Sequence, residues 1–338
     1  MDLATRYLGL ALASPLIASS SPLTGALDNL RRLEDAGAAA VVLPSIFEEQ
    51  IAAETAERER LARLTEGFPE ASSFFPAGSV PEAGPHEQLA LIARARAALS
   101  IPVIASLNGT TESGWIEYAR LVAQAGAQAI EINVYFPPVE PTLDGTAVER
   151  RHLAVLEALK RTVSVPVAMK LTPAFSAPGA VIRALDAAGA DGFVLFNRLY
   201  QPDINLAALR PSRQAILSSR SEIGPGLLWI GALAGRLRGS LAAGTGVETA
   251  EEVIKYLLVG ADTVMSTAAL LRHGPAYLRT LLEGLERWGE ARGFASVESL
   301  RGCMSQAAVG RDMRMARGDY IQILQGFTAI LPGAQGGE

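Results

Sequence analysis

Residues 125–138 read AGAQAIEINVYFPP. Gly126 ends the helical pattern of 113–125, and a strand follows in which Ala129, Ile130, Ile132 and Val134 are apolar. Glu131 and Asn133 interrupt it two residues apart, so on a strand both project to the same side. Pro137 and Pro138 cannot extend an interior strand, so the chain turns out of the sheet there. The same helix–stop–strand unit recurs at Ala36-Gly37-Ala38, Ala188-Gly189-Ala190 and Gly260-Ala261. Its strands are almost wholly apolar, which requires burial on both faces, as in a parallel sheet.

Working outward, strands are predicted at 15–19, 38–43 (closed by Pro44), 102–107, 129–134, 165–171, 192–196, 240–243 and 263–265. Helices are predicted at 25–37, 46–66, 86–99, 113–125, 145–163, 178–188, 249–259, 266–272 and 275–291. Residues 7–13 form a short hairpin at the barrel bottom, 67–85 a long Gly/Pro/Ser-rich loop, and 197–239 an irregular stretch. Eight strands with intervening helices describe an α/β protein: a single (β/α)8 TIM barrel with an N-terminal hairpin and inserted loops at its C-terminal face. It spans residues 1–330, with 331–338 a flexible tail. An open doubly wound sheet would need a glycine-rich loop after the first strand, where Ser19-Ser20-Ser21-Pro22 stands.

Hydrophobic residues make up 49% and charged residues 19% of 338, ample for a large core. The net charge of −5 supplies no attraction for nucleic acid or an anionic membrane. No uncharged apolar run reaches the length of a membrane span. The lone Cys303 excludes an internal disulfide and reads as a buried structural thiol. The expected location is the cytoplasm, the expected assembly a homodimer, and the expected partner a small-molecule substrate. His86, His152 and His273 have no metal-ligand spacing, so no metal site is expected.

Lys170 ends the strand VPVAMK, at the barrel mouth where side chains meet ligands. Only three of the 30 basic residues are lysines, so one at a strand end implies a compact ammonium with a specific task. That task is either a point charge beside an electron-rich ring or a Schiff-base nucleophile. Gly244-Thr245-Gly246 and Ser266-Thr267 follow the last two strands and precede helices, where barrels cradle phosphate. Asn133 and Asn197 stand at strand ends as hydrogen-bond partners for a planar polar ligand.

With these features the chain resembles the dihydroorotate dehydrogenase family over nearly its whole length. YLGLALASPLIASSSP, EINVYFPP, VPVAMKLTP, GALAGR and AGTGVETAEEVIKYLLVGADTVMSTAAL carry the likeness. The resemblance implies FMN, bound by Ser19, Ser20, Ser45, Asn133 and Lys170, with its phosphate near Gly235, Thr245, Gly246, Ser266 and Thr267. It implies a flavin oxidoreductase of pyrimidine metabolism acting on CH–CH groups, with hydride passing between substrate and FMN and Lys170 steadying the reduced ring. Asn133, Asn197 and Phe136 would face the substrate. The sequence also departs from the family. Its catalytic Cys or Ser falls at Phe136, a following asparagine at Pro138 and a lysine at Pro44, leaving Tyr135 as the neighbouring proton carrier. Ordinary dihydroorotate oxidation is therefore not expected. A Schiff-base lyase using Lys170, or a flavin-binding accessory protein with weakened turnover, are the alternatives. Any iron–sulfur centre would belong to a redox partner protein.

Overall fold

The eight buried apolar runs pair in parallel and close on themselves. They are β3 (Leu16–Ala18), β4 (Ala40–Phe47), β5 (Val103–Asn108), β6 (Ala129–Asn133), β7 (Val167–Leu171), β8 (Gly192–Leu195), β11 (Ser240–Ala243) and β12 (Thr263–Ser266). The closed order β11-β12-β3-β4-β5-β6-β7-β8 excludes the open doubly wound sheet. This computed structural model describes residues 1–56, 85–111, 115–198, 201–212 and 216–309, with Ile321 and Leu324 beyond. The 67–84 part of the expected loop, the expected helix beyond residue 56 and the 331–338 tail lie outside the described residues.

Each glycine of the repeated stop takes a left-handed φ, +98° at Gly37, +107° at Gly126, +97° at Gly189 and +116° at Gly260. Such a φ ends a helix and aims the chain back into the sheet at little steric cost to glycine. At the bottom, β1 (Thr5–Tyr7) and β2 (Leu10–Leu12) pair antiparallel around Leu8-Gly9, both with positive φ, as a tight two-residue hairpin requires. Tyr7, Leu8 and Leu12 plug the barrel against Ile17, Val42, Ile104, Ala168, Val194 and Met265. The second, larger core lies between barrel and helices.

Four expectations are corrected. Pro44 does not close its strand, because β4 runs on to Phe47. Val42 pairs with Ile104 and Ser45 with Ser106, so three steps on β4 oppose two on β5, and a bulge absorbs the proline. Residues 197–239 are not irregular throughout. β9 (Asp203–Asn205) and β10 (Arg210–Ser212) form an exposed hairpin, and Gly224–Leu233 is a helix. That helix is apolar nearly all round and opens Gly-Pro-Gly, so it carries no amphipathic period to read. Cys303 is exposed rather than a buried thiol. The helix predicted from residue 46 starts at 48, because residues 46 and 47 still belong to β4.

Candidate functional site

The strand register lifts a polar ring above the apolar plug. Ser106 pairs with Glu131, and Asn108 with Asn133, whose next neighbour is Lys170. These residues share the inward parity of Ile104, Ala129 and Ala168 in the luminal cluster. The β4 bulge has a consequence for chemistry. It shifts the strand's alternation by one, so Ser45 turns into the lumen as Val42 does, and its hydroxyl meets Ser106 Oγ at 2.6 Å. Ser45 also lies 3.4 Å from Ser20, making a short run of hydroxyls across β3, β4 and β5.

Lys170 Nζ donates to Glu131 Oε1 at 3.1 Å, with the lysine side chain 14% and the carboxylate 1% exposed. Glu131 Oε2 is sealed and makes no hydrogen bond among the described residues. Beneath lies the Tyr7 hydroxyl, whose pKa is pushed well above the usual tyrosine range by burial and by the nearby Glu131 charge. Asn197 Nδ2 donates to Asn133 Oδ1 at 3.1 Å, so the two expected asparagines meet.

A cleft continues from Lys170 towards the ends of β11 and β12. Ser19, Ser20, Asn197, Arg198, Ser218, Gly244-Thr245-Gly246 and Thr267 line it. Thr245 and Gly246 both take left-handed φ, +73° and +77°. The turn is pinned from below, where Tyr256 Oη donates to the Thr245 carbonyl (3.0 Å) and Thr245 Oγ1 donates to the Phe196 carbonyl (2.8 Å). Gly246 N donates to Ser218 Oγ at 3.2 Å. Arg198 is held by Glu222 at 2.7 Å, and Arg272 by Glu248 at 2.9 Å.

The structure thus gathers Ser19, Ser20, Lys170, Asn197, Thr245, Gly246 and Thr267 around one cleft, with Ser45 and Asn133 one hydrogen bond away. It does not bring Gly235 there. The helix Gly224–Leu233 crosses back between the parallel strands β8 and β11, so its C-terminal end and Gly235 lie at the barrel bottom. Ser266 alternates with the luminal Met265 and faces away, its hydroxyl buried without a hydrogen-bond partner among the described residues. Phe136 is half-buried against the outer core with the Arg151 guanidinium 4.1 Å over its ring, and neither it nor Tyr135 borders the cleft. His152 is also buried outside the lumen. It is edge-on to Phe175 with Nδ1 2.8 Å from the Val148 carbonyl, and burial holds its pKa below the usual histidine range.

Sequence reasoning missed Ser106, Asn108, Arg198 and Ser218. The first two alternate along the strand VIASLN and were legible by the rule that singled out Asn133. Ser218 had no local signal, because only the fold carries its loop to Gly246. Among the described residues, no three His, Cys, Asp or Glu side chains converge as a metal site. No described helix is long and apolar enough to cross a membrane.

The family model described as dihydroorotate dehydrogenase matches residues 2–288. A putative dihydroorotate dehydrogenase A (fumarate) of Aeropyrum pernix is 30% identical over 255 residues, 71% of this chain and 82% of that protein. The NAD-dependent dihydropyrimidine dehydrogenase subunit PreA of Escherichia coli is 28% identical over 320 residues, 89% of this chain and 76% of that protein. A dihydroorotate dehydrogenase B (NAD(+)) catalytic subunit of Listeria monocytogenes is 28% identical over 206 residues, 59% of this chain and 67% of that protein.

Proposed function

The chain belongs to the dihydroorotate dehydrogenase family, and on that premise we propose that it is an FMN-dependent oxidoreductase acting on a CH–CH unit of a small planar ring. One observation carries the reading: a single cleft joins the Lys170 ammonium to the hydroxyl-rich turns after β11 and β12. The donor set fits a phosphorylated ring cofactor, with Thr245, Gly246, Thr267 and Ser218 at one end and Lys170, Ser19 and Ser20 at the other. FMN, when bound, supplies a two-electron acceptor for hydride.

The chain's own residues then divide the work. The pinned turn and Thr267 would hold its phosphate. Lys170, fixed by Glu131, would supply a positive charge that stabilises the reduced ring. The Asn133–Asn197 pair orients the substrate. Phe136 offers no proton acceptor, and its ring is engaged by Arg151, so the reaction differs from ordinary dihydroorotate oxidation in substrate or in proton carrier. Tyr135, half-buried in the same loop, lies outside the cleft lining, so this reading assigns it to proton transfer only through an inward movement of that loop on ligand binding; slower flavin reduction in Tyr135→Phe supports the role and unchanged reduction rejects it.

The Schiff-base alternative is disfavoured because Lys170 is committed to a buried carboxylate. The chain contains one cysteine, so electrons leaving through an iron–sulfur centre would pass to a partner subunit. Two of the relatives are themselves named as subunits. Purification tests the proposal. A yellow protein whose flavin spectrum is bleached by reductant supports it. A colourless protein that FMN cannot reconstitute rejects it, and borohydride trapping of a carbonyl compound on Lys170 would establish the lyase instead.

A further inference from the structure

Ile216, Leu217 and Ser218 form one wall of the cleft, yet they belong to no helix or strand. Charged side chains from elsewhere in the fold hold this short segment by its backbone. Arg198 follows Asn197 beyond the end of β8. It donates through Nη1 to the Ile216 carbonyl, through Nη2 to Gln201 Oε1 (2.8 Å) and through Nε to Glu222 Oε2 (2.7 Å). Glu222 secures the far end, its Oε1 accepting from Ser219 N at 2.9 Å. Arg272, on the helix Ala268–His273, donates to the Ser218 carbonyl at 2.8 Å and to Glu248 Oε1 at 2.9 Å.

The fastened segment lies on the Gly244–Gly246 turn. Ser218 Oγ accepts from Gly246 N at 3.2 Å, and a Cβ on Gly246 would stand 2.9 Å from the Ser219 carbonyl. A segment with no ladder of its own opens at low free-energy cost unless side chains fasten it. Here the fastenings are charge-assisted, the stronger class of hydrogen bond. The side chains of both ion pairs are between 22% and 31% exposed, so water screens them less than pairs on the open surface. All three guanidinium nitrogens of Arg198 are engaged by groups of this chain, which suits holding the segment better than binding an anion.

Resting on the flavin reading above, we propose that Arg198, Glu222 and Arg272 are positioning residues of the phosphate site. They fasten residues 216–219 over the Gly244–Gly246 turn and so set how fast a phosphorylated cofactor enters and leaves. The cofactor passes the segment in both directions, so loosening it speeds entry and exit together and leaves affinity nearly unchanged.

Flavin exchange tests this. Radiolabelled FMN on the purified holoprotein is chased with excess unlabelled FMN, and rebinding is timed by mixing apoprotein with FMN. Arg198→Met and Arg272→Met are each expected to speed release about tenfold. Rebinding should quicken by a similar factor, with Kd within about threefold of wild type. Arg198→Lys, which reaches Glu222 or the Ile216 carbonyl but not both, should fall between. Release within about twofold of wild type in both methionine variants overturns the assignment. So does a raised Kd with an unchanged rebinding rate, which would make the arginines ordinary phosphate contacts. Glu222→Gln repeats the measurement should the methionine variants misfold. Trypsin gives a reading without flavin: cleavage after Arg220 is expected about tenfold faster in Glu222→Gln than in wild type, and an equal rate overturns the fastening. A colourless protein that FMN cannot reconstitute would refute the flavin reading and the cofactor role with it, while the trypsin comparison still decides whether the segment is fastened.

Discussion

The Lys170–Glu131 pair allows a prediction whose size follows from depth. The carboxylate side chain is 1% exposed and already has one unpartnered oxygen, whereas the ammonium retains 14% exposure. Breaking a buried pair by removing one member costs about 3–5 kcal/mol, because the other charge is left uncompensated. Lys170→Met strands the deeper charge and should cost the full amount. Glu131→Met leaves an ammonium that can extend into the cleft and reach water, and should cost less, about 2 kcal/mol. Replacing both with methionine removes both desolvation penalties, so the double variant should lie within about 1 kcal/mol of wild type. The coupling in the double-mutant cycle is then about 6 kcal/mol. For 338 residues the unfolding entropy is about 0.7 kcal/mol/K, so Lys170→Met lowers Tm by about 4–7 °C. Urea titrations of the four proteins, extrapolated linearly, measure the cycle. Additivity within about 0.5 kcal/mol would refute the pairing. Glu131→Met proving worse than Lys170→Met would refute the inference from depth.

Three further outcomes are expected. Gly246→Ala forces a side chain to φ +77° with its Cβ 2.7 Å from Ile223 Cγ2 and 2.9 Å from the Ser219 carbonyl. It should cost about 1–3 kcal/mol and loosen FMN, and unchanged Tm and FMN affinity would remove the turn from the phosphate site. Phe136→Cys alone should not yield dihydroorotate oxidation, because the side chain lies on the outer face under Arg151 and Pro44 and Pro138 remain; turnover of dihydroorotate by the single variant would show that those losses are unimportant. Burial depresses the His152 pKa, so below about pH 6.5 the unfolded chain binds the proton that the native ring resists, and stability falls with pH. Between about pH 6.5 and 5, the Tm of His152→Leu should therefore fall less steeply than that of wild type, and parallel curves would show that the ring is not held neutral by the fold.

The strands and most helices were legible because their signals are local. Apolar runs of strand length, bounded by a glycine stop or a proline, declare themselves in any window of ten or so residues. The exceptions have physical causes. The helix Gly224–Leu233 is apolar on every side and so shows no period. Motif matching placed Gly235 near a phosphate from the string GALAGR, but direction along a crossover helix is not contained in a string. Asn108 was overlooked although it stands in the same relation to β5 as Asn133 does to β6.

The sequence by itself determined the barrel and the mouth at which Lys170, Asn133 and the Gly244–Gly246 turn emerge, since each depends on residue type and order along one segment. Tertiary structure alone decided that Pro44 sits in a bulge that turns Ser45 inward, that Ser218 meets Gly246, that Glu131 fixes Lys170, and that Asn108 stands in register beside Asn133. Those facts depend on the register between strands and on closure of the ring. Register is set by packing between segments far apart in the chain, so no local pattern encodes it.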